Sequence, residues 1–214
     1  MARHGRSAGP TMLSLGDSYT IGEGVAADQR WPSQLITLLR SEGRHMEHAD
    51  VLATTGWTTD ELLAAMDATT FTPPYSLVSL LIGVNNQYRG RSLENYAAEF
   101  ARLLDRAIVQ AGDDADQVMV VSIPDWGVTT FAAEKGADVA AISADIDRFN
   151  NCARDQATER GTHWIDITEI SRGVAREMLT EDGLHPSAEQ YALWVDQILP
   201  VARRLLDNVS RDSD

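Results

Sequence analysis

Five short apolar runs alternate with five amphipathic stretches along the chain, and this alternation limits the possible fold more than any other feature. The run at 75–83 is apolar almost throughout, which is typical of a strand buried on both faces of a parallel sheet. The stretch at 92–112 places apolar residues at helical spacing. Repeated strand–helix units therefore predict an α/β fold, with a parallel five-stranded sheet and helices on both faces.

The chain length suits one large domain of this kind. It has 214 residues, and no internal repeat, low-complexity tract or linker interrupts it. We expect a disordered head over residues 1–10, a single domain over 11–208 and a frayed tail over 209–214. The lone Cys152 cannot form an internal disulfide, which suits a reducing compartment.

Charge and hydropathy limit the partners and the compartment. The net charge of −14 disfavours nucleic acid and anionic membrane surfaces, and it favours neutral or cationic small molecules as substrates. The basic N-terminal segment lacks the apolar core of a secretory signal, and the absence of any run of about 18 apolar residues predicts no membrane span. We therefore expect a cytoplasmic protein, and the sequence gives no indication of its oligomeric state.

The carboxyl ends of parallel strands share one edge of a sheet, and α/β proteins bind their ligands there. The loops that follow the five predicted strands are polar and contain glycine, whereas most of the remaining sequence is ordinary helix surface. These loops occupy residues 16–24, 55–61, 83–90, 122–131 and 181–187.

The first of these loops carries the stretch LGDSYTIGEG, which suggests a phosphate cradle, an aspartyl nucleophile or a serine nucleophile. A P-loop needs a lysine followed by Ser or Thr after its glycines, and a dinucleotide fingerprint needs a different glycine spacing. An aspartyl nucleophile at Asp17 would want a second aspartate at position 19, where the chain has Tyr19. These spacings weaken the phosphate cradle and the aspartyl nucleophile more than they weaken a nucleophilic Ser18.

A serine nucleophile needs a base, which is usually a histidine held by a carboxylate. Of the five histidines, only His185 falls at the ligand-binding edge, and Asp182 lies three residues before it. Taken alone, the stretch DGLHPS also fits a turn followed by the start of a helix. Together with Ser18 at the same edge, it favours a nucleophile–base pair.

Four stretches together, LGDSYTIGEG, TTGWTTDEL, LLIGVNNQYRG and DGLHPS, resemble the GDSL-type esterases and lipases of the SGNH hydrolase superfamily. The resemblance covers nearly the whole chain in the expected order. It implies a flavodoxin-like, three-layer α/β/α fold, with residues 11–208 as the catalytic domain. It also implies that the protein hydrolyses esters through an acyl-enzyme intermediate.

The resemblance also implies roles for matching residues. Ser18 would be the nucleophile, and His185 would be its base, oriented by Asp182. The backbone N–H groups of Ser18 and Gly56 and the side-chain amide of Asn85 would form the oxyanion hole. Taken locally, Gly56 also fits a turn glycine at a strand end, and Asn85 also fits a loop residue that bonds its own backbone.

Two positions depart from the family pattern. Tyr19 replaces the leucine of the name-giving motif, and we assign it no chemical role. Asn86 replaces the acid that commonly follows Asn85, so we carry no catalytic role onto Asn86.

Aromatic residues in the same loops suggest an apolar wall for the substrate, although packing on the sheet edge is an equal alternative. These candidate substrate-binding residues are Trp57, Tyr88, Trp126 and Phe131. We expect a small ester as substrate, with no metal or other cofactor and no nucleic-acid partner. Rival expectations are a lysophospholipase, thioesterase or carbohydrate deacetylase of the same superfamily, a non-catalytic binding module and, more weakly, a phosphate-binding domain.

Overall fold

Five parallel strands form the central sheet in the computed structural model of the protein, which describes residues 9–173 and 178–212. Their spatial order is β2-β1-β3-β4-β5, the flavodoxin-like order, and all four pairings are parallel. The predicted parallel sheet is therefore confirmed. The strands are β1 Met12–Gly16, β2 Ala49–Ala53, β3 Leu77–Leu81, β4 Val118–Val121 and β5 His163–Ile165.

Helices cover both faces of the sheet and complete the three layers. α2 packs against α9 on one face, while α5 packs against α3 and α7 on the other. The short helices α1, α4 and α6 belong to loops at the carboxyl ends of strands. The helices are α1 Ser18–Ile21, α2 Trp31–Ser41, α3 Thr59–Ala68, α4 Val84–Tyr88, α5 Leu93–Gln110, α6 Thr130–Glu134, α7 Val139–Glu159, α8 Thr168–Gly173 and α9 Ala188–Asp212.

The hydrophobic core lies between the sheet and the two helical layers. Every residue of β1 and β3 is buried, and the burial of β3 agrees with the almost entirely apolar run at 75–83. Trp31 and Trp194 are fully buried on the α2–α9 side, and Tyr96 and Phe100 are buried on the α5 side. This packing holds the carboxyl edges of neighbouring strands in fixed positions.

The ends of the chain differ in part from expectation. Gly9 and Pro10 belong to the predicted disordered head, yet their backbones hydrogen-bond with Glu47. Residues 1–8 lie outside the described residues. α9 continues to Asp212, into the predicted frayed tail, and residues 213–214 again lie outside the description. Within the described ranges, no helix is both long enough and apolar enough to span a membrane.

Candidate active site

Ser18 begins the four-residue helix α1, and one residue, Asp17, separates it from the end of β1. The Asp17 side chain caps this helix by accepting a hydrogen bond of 3.0 Å from the Tyr19 N–H, and Gly22 ends it with a φ of +77°. The predicted glycine-rich turn is thus a helical turn with a left-handed glycine at its end. This geometry holds Ser18 at the carboxyl edge of the sheet.

Asp17 is fully buried beneath Ser18 and is not among the residues that line the cavity at this edge. Burial raises the pKa of Asp17 to about 7, although the hydrogen bond from the Tyr19 N–H acts in the opposite direction. Its Oδ2 atom has no hydrogen-bond partner among the described residues. This position favours a capping role for Asp17 over the aspartyl nucleophile considered above.

Asp182 and His185 are hydrogen-bonded to each other within one turn of the loop before α9. His185 Nδ1 lies 2.5 Å from Asp182 Oδ2, while Asp182 Oδ1 accepts hydrogen bonds from the backbone N–H groups of Leu184 and His185 and from the Thr180 hydroxyl. Burial opposes ionisation of Asp182, but these hydrogen bonds outweigh it and lower its pKa to about 2. The carboxylate is therefore ionised at neutral pH and orients the imidazole.

Ser18 and His185 line the same cavity. Across the described ranges, neither the Ser18 hydroxyl nor His185 Nε2 forms a hydrogen bond. Hydrogen bonds between a nucleophile and its general base commonly tighten only when substrate binds. The absence of a direct hydrogen bond between Ser18 and His185 is therefore compatible with the predicted nucleophile–base pair.

Gly56 and Asn85 reach this cavity from the loops after β2 and β3. Gly56 has a φ of +87°, a left-handed conformation that favours glycine. Within the described part of the chain, the backbone N–H groups of Ser18 and Gly56 have no hydrogen-bond acceptor. Asn85 Nδ2 donates to the Trp57 carbonyl at 2.9 Å and keeps a second N–H. The three residues predicted to form an oxyanion hole thus line one cavity.

Two further residues of this region went unrecognised in the sequence. Arg89 Nη2 donates to the Gly56 carbonyl at 2.6 Å. Asn86, to which we assigned no role, is fully buried and pairs with Thr59, accepting from its N–H at 3.0 Å and donating to its Oγ1 at 2.6 Å. Both lie on the same short helix segment as Asn85, and this proximity was the only signal available in the sequence.

The cavity has a volume of about 170 Å³ and an apolar wall. Trp126 stands at the centre of this wall, with its ring centroid 5.3 Å from that of Tyr88 and 6.3 Å from that of Phe131. Its Nε1 donates to Gln87 Oε1 at 2.8 Å, which fixes the indole plane. The apolar lining consists of Val84, Tyr88, Trp126, Phe131 and Leu184.

The prediction that Trp57 belongs to the substrate wall is not supported, because Trp57 is absent from the lining and packs against the hydrophobic core. A capping box between Thr58 and Glu61 starts α3 directly after Trp57, and the Trp57 carbonyl accepts from the Asn85 side chain, 28 positions further along the chain. Tyr19, in contrast, lines the cavity, and its ring centroid lies 5.6 Å from that of His185.

Within residues 9–173 and 178–212, no three His, Cys, Asp or Glu side chains are grouped so that they could hold a metal ion.

The strand order, with polar groups gathered at the carboxyl edge of the sheet, is the architecture of the SGNH hydrolases. A family model described as the GDSL-like lipase/acylhydrolase family matches residues 14–193. The chain therefore belongs to this family, as its sequence motifs predict. A sequence search of curated proteins found no match.

Solved structures resemble the protein over nearly its whole length. TesA is 21% identical with a TM-score of 0.71, and the match covers 91% of this chain and 99% of TesA. The psychrotrophic esterase EstA from Pseudoalteromonas sp. is 16% identical with a TM-score of 0.71, covering 92% and 98%. Axe2, an acetylxylan esterase from Geobacillus stearothermophilus, is 16% identical with a TM-score of 0.70, covering 91% and 94%. At these identities the likeness establishes the fold.

Proposed function

We propose that the protein is a serine esterase that hydrolyses small carboxylic esters through an acyl-enzyme intermediate. The observation that carries this proposal is the Asp182–His185 pair, joined at 2.5 Å, whose histidine lines the same cavity as Ser18. A serine hydroxyl becomes a useful nucleophile when such a base takes its proton. Membership of the GDSL-like lipase/acylhydrolase family supports the same reaction class.

In the proposed reaction, Ser18 Oγ attacks the ester carbonyl carbon while His185 Nε2 takes the hydroxyl proton. The tetrahedral intermediate then collapses, the C–O bond to the alcohol breaks, and His185 returns the proton to the leaving alcohol. Water then attacks the carbonyl carbon of the acyl-enzyme while His185 takes its proton. The bond to Ser18 Oγ breaks, His185 returns the proton to Ser18, and the carboxylic acid is released. Asp182 keeps Nδ1 protonated throughout and stabilises the imidazolium.

The negative charge of the tetrahedral intermediate would be met by three donors. They are the backbone N–H groups of Ser18 and Gly56 and the second N–H of Asn85. Donors that already point at the developing oxyanion lower the barrier because they need no reorganisation during the reaction. The absence of competing acceptors for the two backbone N–H groups, within the described residues, supports this assignment.

The cavity favours a small apolar group on the ester. Its volume of about 170 Å³ is close to that of an engineered protein cavity, about 150 Å³, that holds one benzene molecule. The aromatic wall around Trp126 supplies apolar contacts for such a group. These features support simple esters over long-chain lysophospholipids.

Replacing Ser18 tests the proposal. We expect Ser18→Ala to abolish hydrolysis of short p-nitrophenyl esters and to prevent labelling by a fluorophosphonate, because both need the hydroxyl oxygen. EstA was solved inhibited by monoethylphosphonate, which makes phosphonates a suitable class of probe. Ser41→Ala is the matched control, since its hydroxyl bonds the Leu38 carbonyl at the end of α2.

Mass spectrometry of the labelled protein identifies the modified residue. If a folded Ser18→Ala variant hydrolysed the ester as fast as the parent protein, the esterase mechanism would be refuted. A parent protein that neither turns over esters nor reacts with the fluorophosphonate would favour a non-catalytic binding module on the same fold.

A further inference from the structure

The oxyanion donors come from strands that are not neighbours. Gly56 follows β2 and Asn85 follows β3, but β1 lies between these strands in the sheet. No strand ladder therefore sets the position of Gly56 relative to Asn85. Their spacing depends on contacts made above the sheet edge, between the β2–α3 loop and α4.

Arg89, at the C-terminal end of α4, makes one of these contacts. Its Nη2 donates to the Gly56 carbonyl at 2.6 Å, and its Nη1 lies 3.5 Å from Glu61 Oε2. That same Glu61 oxygen accepts the Thr58 backbone N–H at 2.8 Å in the capping box of α3. The guanidinium thus joins the carbonyl of Gly56 to the helix start that follows it.

We infer that Arg89 is a positioning residue that holds the Gly56 N–H in the oxyanion hole, an inference that rests on the proposed esterase function. Glycine has the widest backbone freedom of any residue, and Gly56 has neither a strand partner nor a side chain to restrict it. Locally, its turn is closed by the Trp57 N–H, which donates to the Thr54 carbonyl at 3.2 Å. A charge-assisted hydrogen bond to its carbonyl restricts the rotation of the residue that carries the donor N–H. Arg89 therefore supplies the constraint that the sheet does not.

The contacts of Arg89 favour positioning over direct substrate binding. Its guanidinium already meets the Gly56 carbonyl and the Glu61 carboxylate, so its charge is balanced within the protein. Arg89 is also absent from the residues that line the cavity. A residue in this place should change the rate of the chemical step more than the affinity for substrate.

Arg91 provides a matched control two residues away. It pairs with Asp60, the neighbour of Glu61 on α3, at 2.5 Å, and its side chain does not contact Gly56. Arg91→Ala therefore removes the same charge and a comparable ion pair between the same two segments. It leaves the hydrogen bond to the Gly56 carbonyl in place.

The experiment compares kcat and KM of the parent, Ser18→Ala, Arg89→Ala, Arg89→Lys and Arg91→Ala on a short p-nitrophenyl ester. We expect Arg89→Ala to lower kcat by about 10- to 100-fold with little change in KM, since outright loss of one oxyanion donor costs about 10²–10³ in kcat. Arg89→Lys should recover part of the loss, and Arg91→Ala should keep parental kcat. Thermal unfolding of each variant verifies that it is folded.

Chemical rescue gives a readout that general destabilisation would not produce. Millimolar guanidinium chloride should raise kcat of Arg89→Ala, while NaCl at the same ionic strength should not, because only guanidinium can donate to the vacated Gly56 carbonyl. The parent and Arg91→Ala should show no such increase.

Three results would overturn the inference. They are parental kcat in Arg89→Ala, a change in KM alone, and an equal loss in Arg89→Ala and Arg91→Ala that follows their thermal stability without guanidinium rescue. Each of these results bears on Arg89 only if ester hydrolysis by the parent protein depends on Ser18. Ester hydrolysis that is absent, or that persists in Ser18→Ala, would instead refute the proposed function, and the inference with it.

Discussion

The base loop (residues 180–185, which carry the proposed base His185) and the oxyanion side of the cavity (the loops of the proposed donors Gly56 and Asn85) are built in opposite ways. In the base loop, Asp182 bonds residues no more than three positions away, namely Thr180, Leu184 and His185. On the oxyanion side, the hydrogen bonds that join the β2–α3 loop to α4 span 27 to 33 positions. The hydrogen bonds of Asp182 are thus local, although Gly183 in the same loop also accepts from the Phe131 N–H and the Thr130 hydroxyl. The oxyanion side, in contrast, is set by how two loops pack.

This difference predicts different responses to mutation. A change in the base loop removes a contact directly from the base, and few other residues can compensate. A change on the oxyanion side alters the packing of two segments against each other, so its effect depends on neighbouring residues. The expected effects below run from the largest to the smallest.

Asp182→Asn should have the largest effect among these changes. An amide at this position no longer stabilises the imidazolium and allows the wrong histidine tautomer, so kcat/KM should fall by about 10³–10⁴-fold. Steady-state kinetics on a short ester would measure the loss. Glu181→Gln, at the neighbouring position, is the control and should stay near the parental value.

A small loss in a folded Asp182→Asn variant, comparable to that of the control, would contradict the orienting role of Asp182. It would also remove the reason to contrast the local hydrogen bonds of the base loop with the packing of the oxyanion side.

Asn86→Asp tests the oxyanion side, because it restores the acid common in the family. In this protein Asn86 Nδ2 donates to Thr59 Oγ1, and the Thr59 hydroxyl donates to Glu99. A carboxylate at 86 would lose that donor and compete with Glu99 for one hydroxyl proton. We expect a loss of about 1–3 kcal/mol in the free energy of unfolding, measured in urea.

Adding Glu99→Gln to Asn86→Asp should recover most of this stability. The new amide can donate to Thr59 Oγ1, which frees the hydroxyl proton for the new carboxylate. Glu99→Gln alone should change the unfolding free energy by no more than about 0.5 kcal/mol. Purely additive effects in this double-mutant cycle would contradict a shared network.

The smallest expected effect is a pH dependence of stability from Asp182. Its pKa falls from an ordinary value of 3.8 to about 2 on folding, so the stabilisation is complete above pH 3.8 and is lost as the pH falls towards 2. Because the Asp182 side chain is 43% exposed, we expect its ionisation to contribute less than about 1 kcal/mol to the free energy of unfolding. The quantity to measure is the difference in unfolding free energy between the parent and Asp182→Asn. A difference that grew below pH 4 would have the wrong sign.

Much of the fold was predictable because its signals are local. The apolar run at 75–83 contains β3, and the stripe at 92–112 contains α5. The order of apolar and polar residues alone indicates a strand buried on both faces or a helix buried on one face. The base pair of Asp182 and His185 was predictable for the same reason. Three positions separate them, and one turn brings such neighbours together.

The errors and omissions concern contacts between distant segments. Trp57 was placed in the substrate wall because it is aromatic and lies in the right loop, but its packing against the core is a property of the whole fold. Asn86 has no predicted role because it departs from the family pattern, and the sequence does not identify its partner Thr59, which is 27 positions away. Composition and spacing cannot rank such pairings, since they do not say which of the five edge loops meet until the strand order is known.

By itself, the sequence determined the parallel sheet, the edge that carries the site, the serine at the end of β1 and the histidine–aspartate pair. Only the tertiary structure decided how Gly56 and Asn85 are held together, with Arg89 and Asn86 as the residues that join their loops. The physical reason is that periodicity and short turns act within a few residues, whereas β1 separates β2 from β3 in the sheet. The oxyanion side therefore takes shape only when α4 packs against the start of α3.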